Sequence, residues 1–199
     1  MPVLVLDIRG VVYLSRPTPA FHERWALRCG CTPEALAERL WEGPHWLAAE
    51  LGRITSQRCI DICVERVGVS PALVREMIVE AWASNPDEVL ADFVKELRAR
   101  GVIVAALTNN TSRERELLAR PELARLFDIA ISSADVGLRK PDRAVFRHAE
   151  ARLNARPDGL IFVDDVETNV VAARTFGWHA VHHRSTAETI EAIKAKVPS

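Results

Sequence analysis

Five polar residues follow short apolar runs: Asp7 after residues 3–6, Thr108 after 102–107, Lys140 in the loop after 128–131, and Asp164-Asp165 at the end of 160–165. Continuous apolar runs of this length read as strands buried on both faces of a parallel sheet. In an open α/β sheet the C-terminal strand ends share one edge, and ligands bind there. Carboxylates, a hydroxyl and an ammonium gathered on such an edge suit a phosphate group and a hard divalent cation. Mg²⁺ prefers oxygen ligands and needs few of them from protein. Each residue also has a plainer reading. The three Asp residues and Thr108 could cap the next turn or helix, and Lys140 before Pro141 could be a solvated loop lysine. Four polar strand ends in this order favour a single shared site over four separate accidents.

The elements that must position these residues can be read from periodicity. Strands are expected at 3–6, 102–107, 128–132, 160–163 and 178–182. Helices are expected at 87–100, from about 111 to 127, and at 141–153, 167–176 and 186–196. This alternation implies an α/β fold, a Rossmann-like doubly wound parallel sheet. One long interval breaks the alternation. After the linker 15–19, with its two prolines, residues 20–84 carry only helical patterns: one begun by Phe21, Trp25 and Leu27, then 33–41, 46–51, 56–67 and 71–83. Thr32 and Ser70 stand as N-caps before Pro33 and Pro71. Asn85-Pro86 closes the interval. The expected organisation is a core of residues 1–14 and 86–199 with a small helical insertion, 15–85.

Asp7, Thr108, Lys140 and Asp164-Asp165 resemble, in order and spacing, the four motifs of the haloacid dehalogenase-like hydrolases. The likeness extends through Gly137-Leu138-Arg139-Lys140-Pro141-Asp142 and Phe162-Val163-Asp164-Asp165-Val166-Glu167-Thr168-Asn169. It covers residues 1–14 and 86–185. The resemblance implies that the insertion is the helical cap of one large subgroup of that family. It implies a Mg²⁺-dependent phosphatase acting on a small phosphorylated metabolite, with Asp7 as nucleophile forming an aspartyl-phosphate. Asp7, Asp165 and the carbonyl of Arg9 would hold the metal. Thr108 and Asn109 would bind the phosphoryl oxygens, and Lys140 would neutralise charge on the transferring group. Behind them, Asp164 and Asn169 would orient Asp165 and Lys140.

Arg9 departs from the family's pattern, which usually has an Asp there that protonates the leaving group. A guanidinium stays protonated and makes a poor acid. It should turn from a divalent cation towards Asp7, the substrate or solvent, and could grip a second anionic group of the substrate. Two alternatives follow: a catalytically weak or silent domain of the family, and a metal-independent haloacid dehalogenase.

The 199 residues carry a net charge of −1 and 48% apolar residues. That is enough for a sizeable core, and it argues against a nucleic-acid or anionic-membrane surface. No apolar run reaches the ~20 residues of a membrane span, and the N-terminal run lacks a signal peptide's pattern, so a cytoplasmic protein is expected. Cys29-x-Cys31 and Cys59-x-x-x-Cys63 fit no common zinc spacing, and buried free thiols are the favoured reading. His182 and His183, adjacent in a strand, should face opposite ways and form no chelating pair. The five tryptophans read as core or cap packing, with pocket lining by Trp46 or Trp82 the minor alternative.

Overall fold

The computed structural model of the chain describes residues 2–14, 17–82 and 86–197. Ser15 and Arg16 of the expected linker, and Asn85 at the close of the insertion, lie outside the described residues. Five strands form one parallel sheet: β1 Val3–Leu6, β2 Ile103–Thr108, β3 Ile129–Ser132, β4 Leu160–Asp164 and β5 His179–His182. The order is β3-β2-β1-β4-β5. The chain starts at the centre, builds outward through β2 and β3, then returns to add β4 on the other side of β1. The strand order therefore reverses at β1, which places Asp7 and Asp164 side by side at the switch point where open α/β sheets bind ligands.

Alternation along the strands sends side chains to two cores. Leu4, Leu6, Val104, Ala106, Ile161 and Val163 pack beneath α6 Glu88–Ala99 and α12 Thr186–Lys194. Val3, Val5, Ala105, Leu107 and Phe162 pack on the opposite side against α10 Arg143–Leu153, α11 Glu167–Thr175 and Trp178. On that side Phe146 meets Phe162 and Trp178 edge-on and stacks on Phe176, with ring centroids 5.3–6.0 Å apart. Helices cover both faces, so the sheet is doubly wound.

Between β1 and α6 lie α1 Pro19–Cys29, α2 Pro33–Trp41, α3 Pro44–Glu50, α4 Ser56–Val67 and α5 Pro71–Trp82. Thr18, Thr32 and Thr55 cap α1, α2 and α4 by accepting from the backbone N–H of Phe21, Ala35 and Arg58. These helices bury their own cluster, with Phe21, Trp25, Leu36, Leu40, Val74, Met77 and Ile78 at its centre. Leu27, counted as a founder of the first helix, is 86% exposed.

Two expectations change in detail. The helical stretch from 111 to 127 is two short helices, α7 Glu114–Leu118 and α8 Pro121–Ala124, because Pro121 cannot continue α7 and opens a new helix. The loop expected after β3 contains a helical turn, α9 Ser133–Val136, closed by Gly137 in the left-handed region. Gly52, with φ +66, meets this turn so closely that a Cβ would lie 2.1 Å from the Ala134 carbonyl oxygen. No side chain fits there, and the helical layer seats on the sheet's edge at this point.

Candidate active site

The sheet edge gathers Asp7, Thr108, Lys140, Asp164 and Asn169, all buried. Lys140, only 1% exposed, is not the solvated loop lysine of the plainer reading. Its ammonium donates to the Leu107 carbonyl at 2.7 Å and to Asp164 Oδ2 at 2.7 Å, and it lies 3.0 Å from Asp7 Oδ1. Three donors thus face three oxygens, the arrangement that makes burial of a charged amine tolerable. Asp164 is saturated in turn. Its oxygens accept from Lys140, from the Asn169 amide at 3.1 Å and from the Val166 N–H at 2.8 Å. Asp7 Oδ1 also accepts from the Ile8 N–H at 2.8 Å. Burial pushes the Asp7 carboxyl up to about 6; Lys140 opposes this and Asp164 adds to it.

Asn109 has a task that spacing did not reveal. Its amide donates to the Lys140 carbonyl and accepts from the Lys140 N–H, both at 2.9 Å. The side chain expected to touch phosphoryl oxygens is instead committed to the main chain of the lysine loop, whose Lys140–Pro141 peptide is cis. Ser132 and Ser133 tie the neighbouring loops. Ser132 Oγ donates to the Ser112 carbonyl, and Ser133 Oγ accepts from the Asn110 N–H.

The carboxylates of Asp7, Asp164 and Asp165 offer oxygens within 4.8 Å of one another. Since Asp164 is already engaged, Asp7 and Asp165 are the pair suited to a cation. Gly10, with φ +87, makes room for Asp165, because a Cβ there would sit 2.3 Å from Asp165 Oδ2. An all-oxygen set of this kind fits a hard divalent ion such as Mg²⁺. His182 and His183 part as expected. His182 Nε2 lies 3.1 Å from the Asp165 carbonyl, whereas His183 Nδ1 pairs with Thr189 Oγ1 at 2.9 Å.

Above the edge is a cavity of about 500 Å³. Thr108, Asn109 and Arg9 line it from the sheet side, and His22, Trp41, Trp46, Trp82 and Glu50 from the helices. Trp46 and Trp82 are therefore pocket walls as well as packing residues, which corrects the favoured reading of the tryptophans. Trp41 and Trp46 lie 5.6 Å apart, and Trp46 and Trp82 5.9 Å. The Arg9 guanidinium stands 5.8 Å from the Trp82 ring, so an aromatic face joins the partners expected for it. Glu50 pairs with Arg139 at 2.9 Å. Burial raises the Glu50 carboxyl and Arg139 opposes the shift. Sequence reasoning passed over this pair, although Arg139 lies inside the string that flanks Lys140; nothing local marks Glu50 as its partner.

The sequence profile of the haloacid dehalogenase-like hydrolases matches residues 1–177. A phosphoserine phosphatase from Thermus thermophilus is 30% identical over 156 residues, which are 75% of this chain and 59% of that protein. The rat bifunctional epoxide hydrolase 2 is 28% identical over 174 residues, 81% of this chain and 30% of that protein. The chain thus spans less than two thirds of both relatives. Among solved structures, an enzyme of the same family from Bacteroides thetaiotaomicron, complexed with magnesium and inorganic phosphate, superposes with a TM-score of 0.75. It is 18% identical, and the superposition covers 91% of this chain and 93% of that one.

Proposed function

Starting from the fact that this chain belongs to the haloacid dehalogenase-like hydrolase family, we propose that it is a Mg²⁺-dependent phosphatase of small phosphorylated metabolites. The observation that carries this reading is the Asp7–Lys140–Asp164 triad at the switch point of the sheet. Asp7 attacks phosphorus, its oxygen forming a bond as the ester oxygen leaves, and water then hydrolyses the aspartyl-phosphate. The Ile8 N–H and Lys140 hold Oδ1, which fixes the direction of attack. Lys140 also keeps a positive charge beside the transferring group, where negative charge spreads over the phosphoryl oxygens. Thr108, at the rim of the cavity, hydrogen-bonds those oxygens, and Asn109 contributes by holding the Lys140 loop. Asp7, Asp165 and the Arg9 carbonyl would hold Mg²⁺, which when bound reduces repulsion between the nucleophile and the phosphate.

Residues 17–82 act as the cap. Three indoles and the guanidinium groups of Arg9 and Arg120 around the cavity suit a phosphate ester with a flat or apolar body. Arg9 favours a second reading at the same site. Without an acid at this position, turnover of esters with poor leaving groups would be slow, and the domain would bind such ligands more than it hydrolyses them. Cytoplasmic residence is part of the same proposal; no helix among the described residues is long and apolar enough to cross a membrane.

The test is release of inorganic phosphate from an aryl phosphate and an alkyl phosphate, with and without Mg²⁺, beside a halide-release assay on a 2-haloacid. Mg²⁺-dependent phosphate release supports the proposal. Metal-independent halide release without phosphate release refutes it, and tight ligand binding with neither activity supports the second reading.

A further inference from the structure

The helical layer holds a second group of chemically capable side chains, well apart in character from the oxygen-rich sheet edge. Cys59 and Cys63 lie one turn apart on α4, so both thiols leave the same face of the helix. The start of α3 lays His45 across them. Gly43, with φ +131, allows the chain to enter this helix close by, and a Cβ there would come within 3.1 Å of His45 Nδ1. All three residues are buried: Cys63 0% exposed, Cys59 1% and His45 5%. One ligand atom from each lies within 4.8 Å of the other two, and Cys63 Sγ is 3.5 Å from His45 Nε2. A tetrahedral ion with bonds of about 2.3 Å to sulfur and about 2.0 Å to nitrogen has a sulfur–nitrogen edge of about 3.5 Å. Cys63 and His45 are thus already at ligand spacing, and Cys59 lies within 4.8 Å of both.

We propose that His45, Cys59 and Cys63 form a binding site for one thiophilic divalent cation of the Zn²⁺ or Cd²⁺ class within the helical layer. Two thiolates and an imidazole select soft and borderline ions over Mg²⁺, so this site and the sheet edge take different metals. The neutral imidazole is the form of His45 that ligates. On binding, two sulfur–metal bonds replace two S–H bonds and the protons pass to solvent; nothing is oxidised or reduced. Water completes the fourth position.

The site is wired to the cavity. The Cys63 thiol and the Trp46 indole N–H both donate to the Leu40 carbonyl, and Trp46 is a cavity wall. Metal at Cys63 removes one of the two donors and leaves that carbonyl to Trp46. Occupancy is therefore expected to change tryptophan fluorescence.

The experiment is a Cd²⁺ titration of the reduced, chelator-treated chain in excess Mg²⁺, followed by the thiolate-to-metal charge-transfer band in the ultraviolet. Binding of one ion per chain is expected, with Cys63→Ser and His45→Gln each weakening it more than tenfold. The double substitution Cys29→Ser with Cys31→Ser should leave it intact. Circular dichroism checks that each variant is folded, and His45→Gln decides the matter if Cys63→Ser is not. No charge-transfer band on the wild type, unchanged affinity in His45→Gln, or loss of the band only in the Cys29/Cys31 variant overturns the proposal.

Discussion

The sheet edge and the helical layer face the same cavity but are built on opposite terms. At the edge, Lys140, Asp164, Asn169 and Asn109 spend their polar atoms on one another and on the main chain. In the helical wall, large indoles line the cavity, each of Trp41 and Trp46 held by a single N–H bond, to His22 and to the Leu40 carbonyl, with the rest of the ring in van der Waals and aromatic contact. The first arrangement holds reacting groups to within a fraction of an ångström, as charge stabilisation requires. The second tolerates differently shaped bodies, because stacking varies gently with position. The difference teaches where to look for each kinetic constant: changes at the edge should appear in kcat, and changes in the wall should appear in KM.

Asp7→Asn puts the greatest strain on this comparison. The amide is nearly isosteric but a poor nucleophile, so phosphate release should fall on the order of 10⁴-fold or more with the fold retained. Stopped-flow and long-incubation phosphate assays cover that range, and comparable turnover in the variant would end the covalent scheme. Arg9→Asp comes next, because Arg9 belongs to both regions: two residues from Asp7, yet facing Trp82. Restoring an acid there should speed alkyl-phosphate hydrolysis by ~10²–10⁴-fold, and aryl phosphates much less, since their leaving groups depart without a proton. If Arg9 instead grips a second anionic group of the substrate, KM for that substrate should rise sharply in the same variant. Equal or slower turnover of both esters at saturating substrate and Mg²⁺ would rule out the missing-acid account.

Lys140→Met should lower kcat by ~10²–10³-fold, as loss of a preorganised charge does. It also leaves Asp7 and Asp164 buried without their shared cation, at a cost of about 3–5 kcal/mol readable by urea denaturation. A variant with wild-type stability would mean that the triad contributes less than its geometry implies. Trp82→Ala has the smallest expected effect: KM for a flat substrate up by roughly tenfold, about 1.4 kcal/mol of stacking, with kcat little changed. A kcat effect larger than the KM effect would erase the division of labour between the two regions.

Much of the edge was legible in the sequence, because an apolar run ending in one polar residue carries strand, direction and site together. Residues 3–6 and 160–164 illustrate this, and the N-caps Thr32 and Ser70 located their helices for the same reason: the signal is local. What was hidden depends on partners distant in sequence. A lysine before a proline looks solvated until Leu107, Asp164 and Asp7 are seen around it. Asn109 looks like a ligand group until the Lys140 backbone, 31 residues away, takes up its amide. The tryptophans could be placed on helices, but which face of each helix meets the cavity depends on how the helices cross. Cys59 and Cys63 were likewise readable as a pair of thiols on one face; His45, brought in by a separate short helix, was not.

Asn109 also separates the location of the site's amine from the amine itself. The lysine loop hangs from the Asn109 amide by its own main chain, through bonds that any residue at position 140 except proline could make. Removing the side chain, as in Lys140→Gly, should therefore leave the loop in place and open a narrow slot between two carboxylates. A small primary amine supplied in solution has the charge and the width to enter that slot. The ammonium of this site is in that sense a replaceable part, and the fit of a series of alkylamines would measure the slot from the inside.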